Sequence, residues 1–247
     1  MFRSICCFSI LAVLSGCATS YRTPSAGVNV ADLAGVSLDY DIATVMKRAP
    51  AASFPARIAV AQAQGAGYYA FGQVCYGRGK YCVVSTQDKA KEEHLNRLSA
   101  LPKVAGIAPL NRLMLPEELK SVRELRRAAA SLQTDMLLVY TMDTRFHVDR
   151  TEVGPLQVIA LGFLPNKKAK VTTTASAVLF DVRTGFVYGT AESTATERKR
   201  STFWGTQDAI DKARRKAEQQ SFAGLMDEFE VLWQDIATHS PLVGELY

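Results

Sequence analysis

Two long runs of alternating residues in the second half of the chain constrain the fold most. The runs 169–182, AKVTTTASAVLFDV, and 186–200, FVYGTAESTATERKR, are rich in threonine and have the two-residue period of a strand. A short glycine-containing segment, 183–185, separates them, and this order predicts an antiparallel hairpin. The next segment, to about residue 235, repeats apolar residues at helical spacing and predicts a long helix.

Shorter elements precede this hairpin. The pattern predicts strands at 54–64, 103–110 and 134–149, a cysteine-containing hairpin at 67–85, a helix at 87–100 and a second helix that begins at Pro116. Pro116 suits a first helical turn, and the two glutamates that follow it suit the positive end of the helix dipole. The fold class is therefore α/β (α+β): a mixed sheet with packed helices, ending in an antiparallel hairpin and a long helix.

The amino-terminal segment resembles an export signal. Arg3 precedes the apolar run 4–14, which is shorter than the ~20 residues that span a bilayer, and small residues follow it. The segment 14–17, Leu-Ser-Gly-Cys, resembles the lipobox of bacterial lipoproteins, which implies cleavage before Cys17 and acylation of that cysteine, with palmitate among its acyl chains. The alternative is an ordinary signal peptide with a chance cysteine.

This resemblance implies a location and a domain division. Ala18 after the cysteine, rather than an aspartate, resembles outer-membrane sorting in enteric-type bacteria, and we expect a lipid-anchored protein on the periplasmic side. The expected divisions are a signal peptide at 1–16, a lipidated cysteine and flexible tether at 17–53, a folded domain at 54–236 and a tail at 237–247. The chain of 247 residues carries a formal charge of +5, which favours anionic neighbours such as lipid headgroups or cell-wall polymer without indicating nucleic acid.

Two cysteines remain in the predicted domain. Cys75 and Cys82 flank a glycine-containing segment, and a hairpin that turns at 78–79 would set them directly opposite each other, within reach of a disulfide. An oxidising periplasm favours that bond. A redox-active pair is the alternative, although the spacing is not Cys-x-x-Cys.

The order of elements is similar to that of a known envelope family. The strand RIAVA at 57–61, the strand TDMLLVY at 134–140 and the hairpin VLFDVRTGFVY at 178–188 lie in the order found in the periplasmic lipoprotein domain of CsgG, the amino-terminal domain of TolB and lipoprotein activators of cell-wall synthases. The resemblance covers about residues 55–235 and implies their α/β fold. It differs at 133–134, where Gln-Thr replaces Gly-Ala, and in the cysteine hairpin.

No pattern of catalytic or metal-binding residues is evident. His94, His147 and His239 form neither a His-x-His nor a His-Glu-x-x-His motif, and no Gly-x-Ser-x-Gly elbow is present. We therefore expect no catalytic site, no metal and no cofactor, and a protein that is not an enzyme.

Charge and aromatic residues suggest binding surfaces instead. Three groups of basic residues either are solvated or converge on an anionic partner: Lys120, Arg123, Arg126 and Arg127; Arg198, Lys199 and Arg200; and Lys212, Arg214, Arg215 and Lys216. The aromatic pair Phe203 and Trp204 either packs locally or anchors a partner. The candidate partner-binding residues are Phe203, Trp204, Arg198, Lys199 and Arg200.

These patterns together predict a non-enzymatic adaptor or accessory lipoprotein in envelope assembly. Its partners would be the membrane, through the lipid anchor, and an envelope protein, with no nucleic acid and with homo-oligomerisation open. One alternative is an oligomeric secretion-channel subunit like the curli exporter, for which the segment 156–170, LQVIALGFLPNKKAK, and the 169–200 hairpin are the only candidate membrane strands. Another is a module that binds cell-wall polymer.

Overall fold

A computed structural model describes residues 42–70, 73–85, 89–150, 167–201 and 206–239 of the chain. Nine strands lie within these ranges: β1 (Ala56–Gly65), β2 (Val74–Tyr76), β3 (Arg78–Gly79), β4 (Tyr81–Ser85), β5 (Val104–Pro109), β6 (Glu118–Leu119), β7 (Met136–Arg150), β8 (Lys167–Asp181) and β9 (Val187–Ser201). Four α-helices accompany them: α1 (Ile42–Met46), α2 (Lys89–Ser99), α3 (Val122–Ser131) and α4 (Thr206–His239). The predicted signal peptide, Cys17, the run 156–164, Phe203 and Trp204 lie outside the described residues.

The described strands form a mixed seven-stranded sheet in the order β2-β4-β1-β7-β8-β9, with β5 joined to the first half of β1. β1 runs parallel to β5 and β7, whereas the β7–β8 and β8–β9 pairs are antiparallel. The predicted fold class, with its antiparallel hairpin and long final helix, is confirmed. β3 and β6 form a separate two-stranded sheet.

Helices cover both faces of the sheet. On one face, α4 packs Phe222, Phe229 and Trp233 against the strands, and Leu98 of α2 joins this cluster. On the other face, α3 and the segment before it bury a second cluster, which includes Leu119 and Leu125. We call these the α4 face and the α3 face. The two clusters are apolar, so the central strand β7 is buried on both sides from Met136 to Met142.

The second helix begins later than the sequence predicted. The prediction placed its start at Pro116, but α3 begins at Val122, after the N-cap Ser121. Ser121 Oγ accepts the N–H of Arg123, and the Glu124 carboxylate accepts the N–H of Ser121 at 2.9 Å, so a capping box sets this start. Glu118 and Leu119 form β6 instead, because Leu119 is fully buried and its strand pairs with β3.

The cysteine hairpin contains the expected disulfide in a different register. Cys75 and Cys82 are bonded, with Cα atoms 5.5 Å apart. The prediction that they face each other directly is wrong, because Cys75 pairs with Val84 and Cys82 pairs with Gln64 of β1. The register differs because Arg78 and Gly79 form β3 and pair with β6 instead of making a two-residue turn. This shifts the pairing of β4 with β2, and the disulfide joins the two strands diagonally.

The segment before β1 is attached to the turn between β8 and β9. Ala51 N–H donates to the Asp181 carboxylate at 2.6 Å, and Ala52 N–H donates to the Tyr188 hydroxyl at 3.3 Å. Arg48 also donates to the carbonyl of Gly185 at 3.4 Å. These bonds hold the end of the segment 42–53, which was assigned to the tether, against the domain.

Candidate functional site

The three long strands leave part of the α3 face uncovered. β7, β8 and β9 are 15 residues each, but the apolar cluster under α3 includes only the ends of β7 and β8 nearest the β8–β9 turn, through residues such as Val178 and Phe180. Beyond that point, the side chains on this face are polar and exposed or half-buried. We call this surface the open face and define it by Asp143, Arg145, His147, Lys170, Thr172, Thr174, Ser176, Glu192, Thr194, Thr196 and Arg198.

Hydroxyl pairs cross the open face between β8 and β9. Thr174 Oγ1 lies 2.8 Å from Thr194 Oγ1, and Thr172 Oγ1 lies 3.0 Å from Thr196 Oγ1. Ser176 donates to the Glu192 carboxylate at 2.7 Å. These pairs fix the side-chain rotamers, because each partner sits directly opposite the other in the register. The result is a pre-organised row of hydroxyl groups, each with remaining capacity to donate or accept a hydrogen bond.

Charge is distributed unevenly along the open face. Toward α3, Asp143 pairs with Arg145 at 3.3 Å, and Glu192 is held by Ser176. At the far end, Lys170 and Arg198 are directly opposite each other, and neither has an ion-pair partner among the described residues. Like charges directly opposite on neighbouring strands destabilise a sheet. Among the residues that the structure describes, this end of the face therefore carries two opposed cations.

The α4 face behind this region is covered by the first half of α4. Val171 packs with Ala213 and Ala217. Arg214 of α4 is 1% exposed and pairs with Glu218 at 2.8 Å and with Asp211 at 2.9 Å. A close contact also fixes the helix on β9, since a Cβ at Gly224 would collide with Ser193. α4 thus supports the long strands on one side, while no element of the described ranges covers the open face on the other side.

Three of the candidate partner-binding residues, Arg198, Lys199 and Arg200, lie on β9. Arg198 lies on the open face and is exposed. The register places Lys199 opposite Ala169 and Arg200 opposite Lys168, so the basic group continues along β9 toward its end. Phe203 and Trp204, which completed the candidate set, lie outside the described residues, and their role stays a prediction.

Some residues of the other two basic groups make hydrogen bonds or ion pairs within the fold. Arg126 donates to the carbonyls of Val182 and Arg183 at 3.0 and 2.7 Å, so it supports the β8–β9 turn. Arg214 is buried in its ion pairs, and Lys216 pairs with Glu197 at 2.8 Å. Burial alone lowers the pKa of Arg214, but Glu218 and Asp211 outweigh it and raise the pKa above its ordinary value.

The histidines occupy separate elements. His94 lies on α2 with its ring 5.7 Å from that of Phe222, His147 on β7, and His239 on the last turn of α4, beside Asp235 at 3.3 Å. Within the described ranges, no group of three histidine, cysteine, aspartate or glutamate side chains could hold a metal ion. No described helix has the length and apolarity to cross a membrane.

Sequence reasoning missed the open face, although a signal for it was present. Thr172, Thr174, Thr194 and Thr196 were assigned to strand propensity alone. Thr172 and Thr174 lie two residues apart on β8, and Thr194 and Thr196 lie two residues apart on β9, so each pair shares one face of its strand. Val171 and Ala175 point to the other face of β8 and are buried. A polar face along two adjacent strands indicates a surface that no helix covers.

Comparison with known proteins identifies similar solved structures. Neither a family model nor a curated protein matches the sequence. Protein XCC0632 from Xanthomonas campestris, of family DUF330, is 14% identical with a TM-score of 0.37, over 76% of this chain and 91% of that chain. The LpoB C-terminal domain from Salmonella enterica is 12% identical with a TM-score of 0.28, over 62% and 92% of the two chains. Lipoprotein GNA1162 from Neisseria meningitidis is 13% identical with a TM-score of 0.29, over 64% and 94%.

These neighbours are bacterial lipoprotein-like domains.

Proposed function

We propose that this chain is a lipid-anchored envelope lipoprotein that acts as a non-enzymatic adaptor or accessory factor in envelope assembly and docks an anionic partner surface through the open face. The supporting observation is the open face itself: a row of paired hydroxyl groups that ends in the opposed cations Lys170 and Arg198. An acidic surface of an envelope protein would relieve the repulsion between these cations, and the hydroxyl groups would supply the hydrogen bonds that fix its register.

The location in this proposal comes from the sequence. Acylation of Cys17 would anchor the chain at the outer membrane, facing the periplasm, and two or more acyl chains give stable anchoring where one does not. A polar tether would follow, up to the point where Ala51 and Ala52 attach to the domain. The resemblance to the CsgG and TolB amino-terminal domains supports the same location and forms part of this proposal.

Photocrosslinking in living cells tests the docking role. A photoreactive phenylalanine analogue is placed at Arg145 or Thr174 on the open face, and at Leu113, which is 84% exposed but lies elsewhere. We expect the first two positions to capture one and the same envelope protein and the Leu113 position not to capture it. Equal capture from all three positions, or none from the open face, would contradict the proposal.

Charge reversal provides the matched control for this experiment. Lys170→Glu removes the cation from the open face, whereas Lys212→Glu makes the same change on the exposed surface of α4. We expect Lys170→Glu to reduce capture at Thr174 at least tenfold and Lys212→Glu to leave it unchanged. An equal effect of the two reversals would indicate a general charge effect and overturn the role of the open face.

A module that binds cell-wall polymer is the second candidate, favoured by the opposed cations Lys170 and Arg198. Anionic polymer would bind without a defined register, so its binding would weaken steeply with salt. Cosedimentation with purified sacculi at low and high salt tests this candidate. Retention that falls with salt and with Lys170→Glu supports it, and no retention at low salt excludes it.

A further inference from the structure

β9 is an edge strand of the described sheet. It runs for 15 residues and pairs with β8 on one side, while no described strand pairs with its other side. The free N–H and C=O groups of a long edge strand readily pair with another strand unless something blocks them. Its side chains on the open face, from Glu192 to Arg198, are exposed, and α4 covers only the opposite face.

The sequence of β9 is charge-complementary to itself in the antiparallel direction. Glu192 lies three residues before Ala195 and Arg198 lies three residues after it. If two copies of β9 pair antiparallel about Ala195, Glu192 of each copy faces Arg198 of the other, and Thr194 faces Thr196. Opposite charges and hydroxyl pairs directly across two strands are both stabilising.

We infer that β9 pairs with β9 of a second copy of this chain, antiparallel and about a two-fold axis through Ala195. The hydroxyl pairs of this new ladder would repeat those already present between β8 and β9, where Thr174 meets Thr194 and Thr172 meets Thr196. A slip by two residues that sets Glu192 opposite Thr196 would lose both ion pairs, so the charges specify this register.

This pairing has two consequences for the molecule. Arg198, which is opposed by Lys170 within its own chain, gains an acidic neighbour from the second copy. The two-fold axis is perpendicular to the sheet, so the open faces of the two copies lie side by side and form one surface six strands wide. The contact is isologous and closes at two copies, which prevents growth into a filament. The inference does not depend on the proposed docking role.

Co-purification of two differently tagged full-length copies tests this dimer. Wild-type copies are expected to co-purify. When both copies carry Glu192→Arg, or both carry Arg198→Glu, like charges lie opposite one another in the ladder. We expect the amount of co-purified copy to fall at least tenfold in each of these combinations. Glu192→Arg paired with Arg198→Glu restores two complementary pairs and should recover it. The recovery also shows that both variants fold.

Absence of wild-type co-purification, or equal co-purification in all four combinations, would overturn the dimer. A cysteine substitution gives a second readout, because Ala195 would face itself across the axis. Under mild oxidation, Ala195→Cys should form a covalent dimer, whereas Thr190→Cys, also on β9, should not. Dimer formation by both or by neither contradicts the register. Capture of a partner from Arg145 or Thr174 is a separate measurement, so failure of the dimer and failure of the docking role are distinguishable.

Discussion

The Asp181 carboxylate accepts the backbone N–H of Ala51 at 2.6 Å, and this bond joins the segment before β1 to the turn between β8 and β9. The same carboxylate accepts the N–H groups of Arg183 and Thr184, each at 2.8 Å, and the hydroxyl of Tyr188 at 3.0 Å. The segment 181–185, Asp-Val-Arg-Thr-Gly, thus has a structural role: its buried carboxylate organises the hairpin turn and fixes the amino-terminal end of the domain.

Asp181→Asn should destabilise the domain. The amide keeps the size of the carboxylate but replaces one acceptor oxygen with a donor that faces N–H groups. We expect a loss of about 1–3 kcal/mol in the free energy of unfolding, the range for a buried polar group left without a partner. Urea unfolding measures it, with Asp143→Asn on the open face as control. Equal losses in the two variants would contradict this role.

Asp181 should also contribute to the loss of folding stability at low pH. Burial by itself raises the pKa of Asp181, but three backbone N–H groups and the Tyr188 hydroxyl outweigh it and hold the pKa below its ordinary value. Such a group stabilises the fold above its unfolded pKa of about 3.9, and this contribution is lost as the pH falls through the folded pKa. Unfolding free energies from pH 7 to pH 3 should fall less steeply in Asp181→Asn than in the wild type. Parallel curves would refute the assignment.

Reduction of the disulfide should have a local effect. The bond between Cys75 and Cys82 closes a short loop, for which loop entropy accounts for about 2 kcal/mol. β2 lies at the edge of the sheet, so we expect reduction to speed hydrogen exchange in β2 and β4 while β7 stays protected. A Cys75→Ala/Cys82→Ala variant should behave like the reduced protein. Loss of protection across β7 would show that the bond holds the whole domain.

Removal of one partner from the buried ion pair of α4 should destabilise the domain. Glu218→Gln leaves Arg214 buried with reduced compensation, which typically costs about 3–5 kcal/mol. Arg215→Gln is the matched control, because its guanidinium pairs with Asp211 at the surface, where such a pair contributes about 0–1 kcal/mol. Thermal unfolding of both variants measures the difference. A similar small shift in each would show that Arg214 is solvated in solution.

The sequence predicted the fold where local patterns agreed with tertiary packing. The alternation of β8 and β9 and the helical spacing in α4 were sufficient because long periodic segments bury one consistent face. The start of α3 was misplaced, since the capping pattern of Ser121 and Glu124 competes with the helix-start signal at Pro116, and only the burial of Leu119 decides between them.

The open face was harder to predict because its position depends on where the covering helix α3 ends. The basic groups looked equivalent in sequence, but Arg126 and Arg214 are used inside the fold, whereas Arg198 is exposed opposite Lys170. Contacts between elements distant in the chain make this distinction. The cysteine register failed for the same reason, because β3 pairs with a segment about 40 residues away.

We propose that this domain works at a membrane surface outside the cytoplasm. The most direct measurement is the intact mass of the mature protein, purified from native cells, with fragmentation of its amino-terminal peptide. We predict a chain that begins at Cys17 and carries acyl chains on that residue, and a Cys17→Ser variant that lacks this mass and leaves the membrane fraction. A mature protein with an unmodified Cys17, or one that retains residues 1–16, would contradict the account.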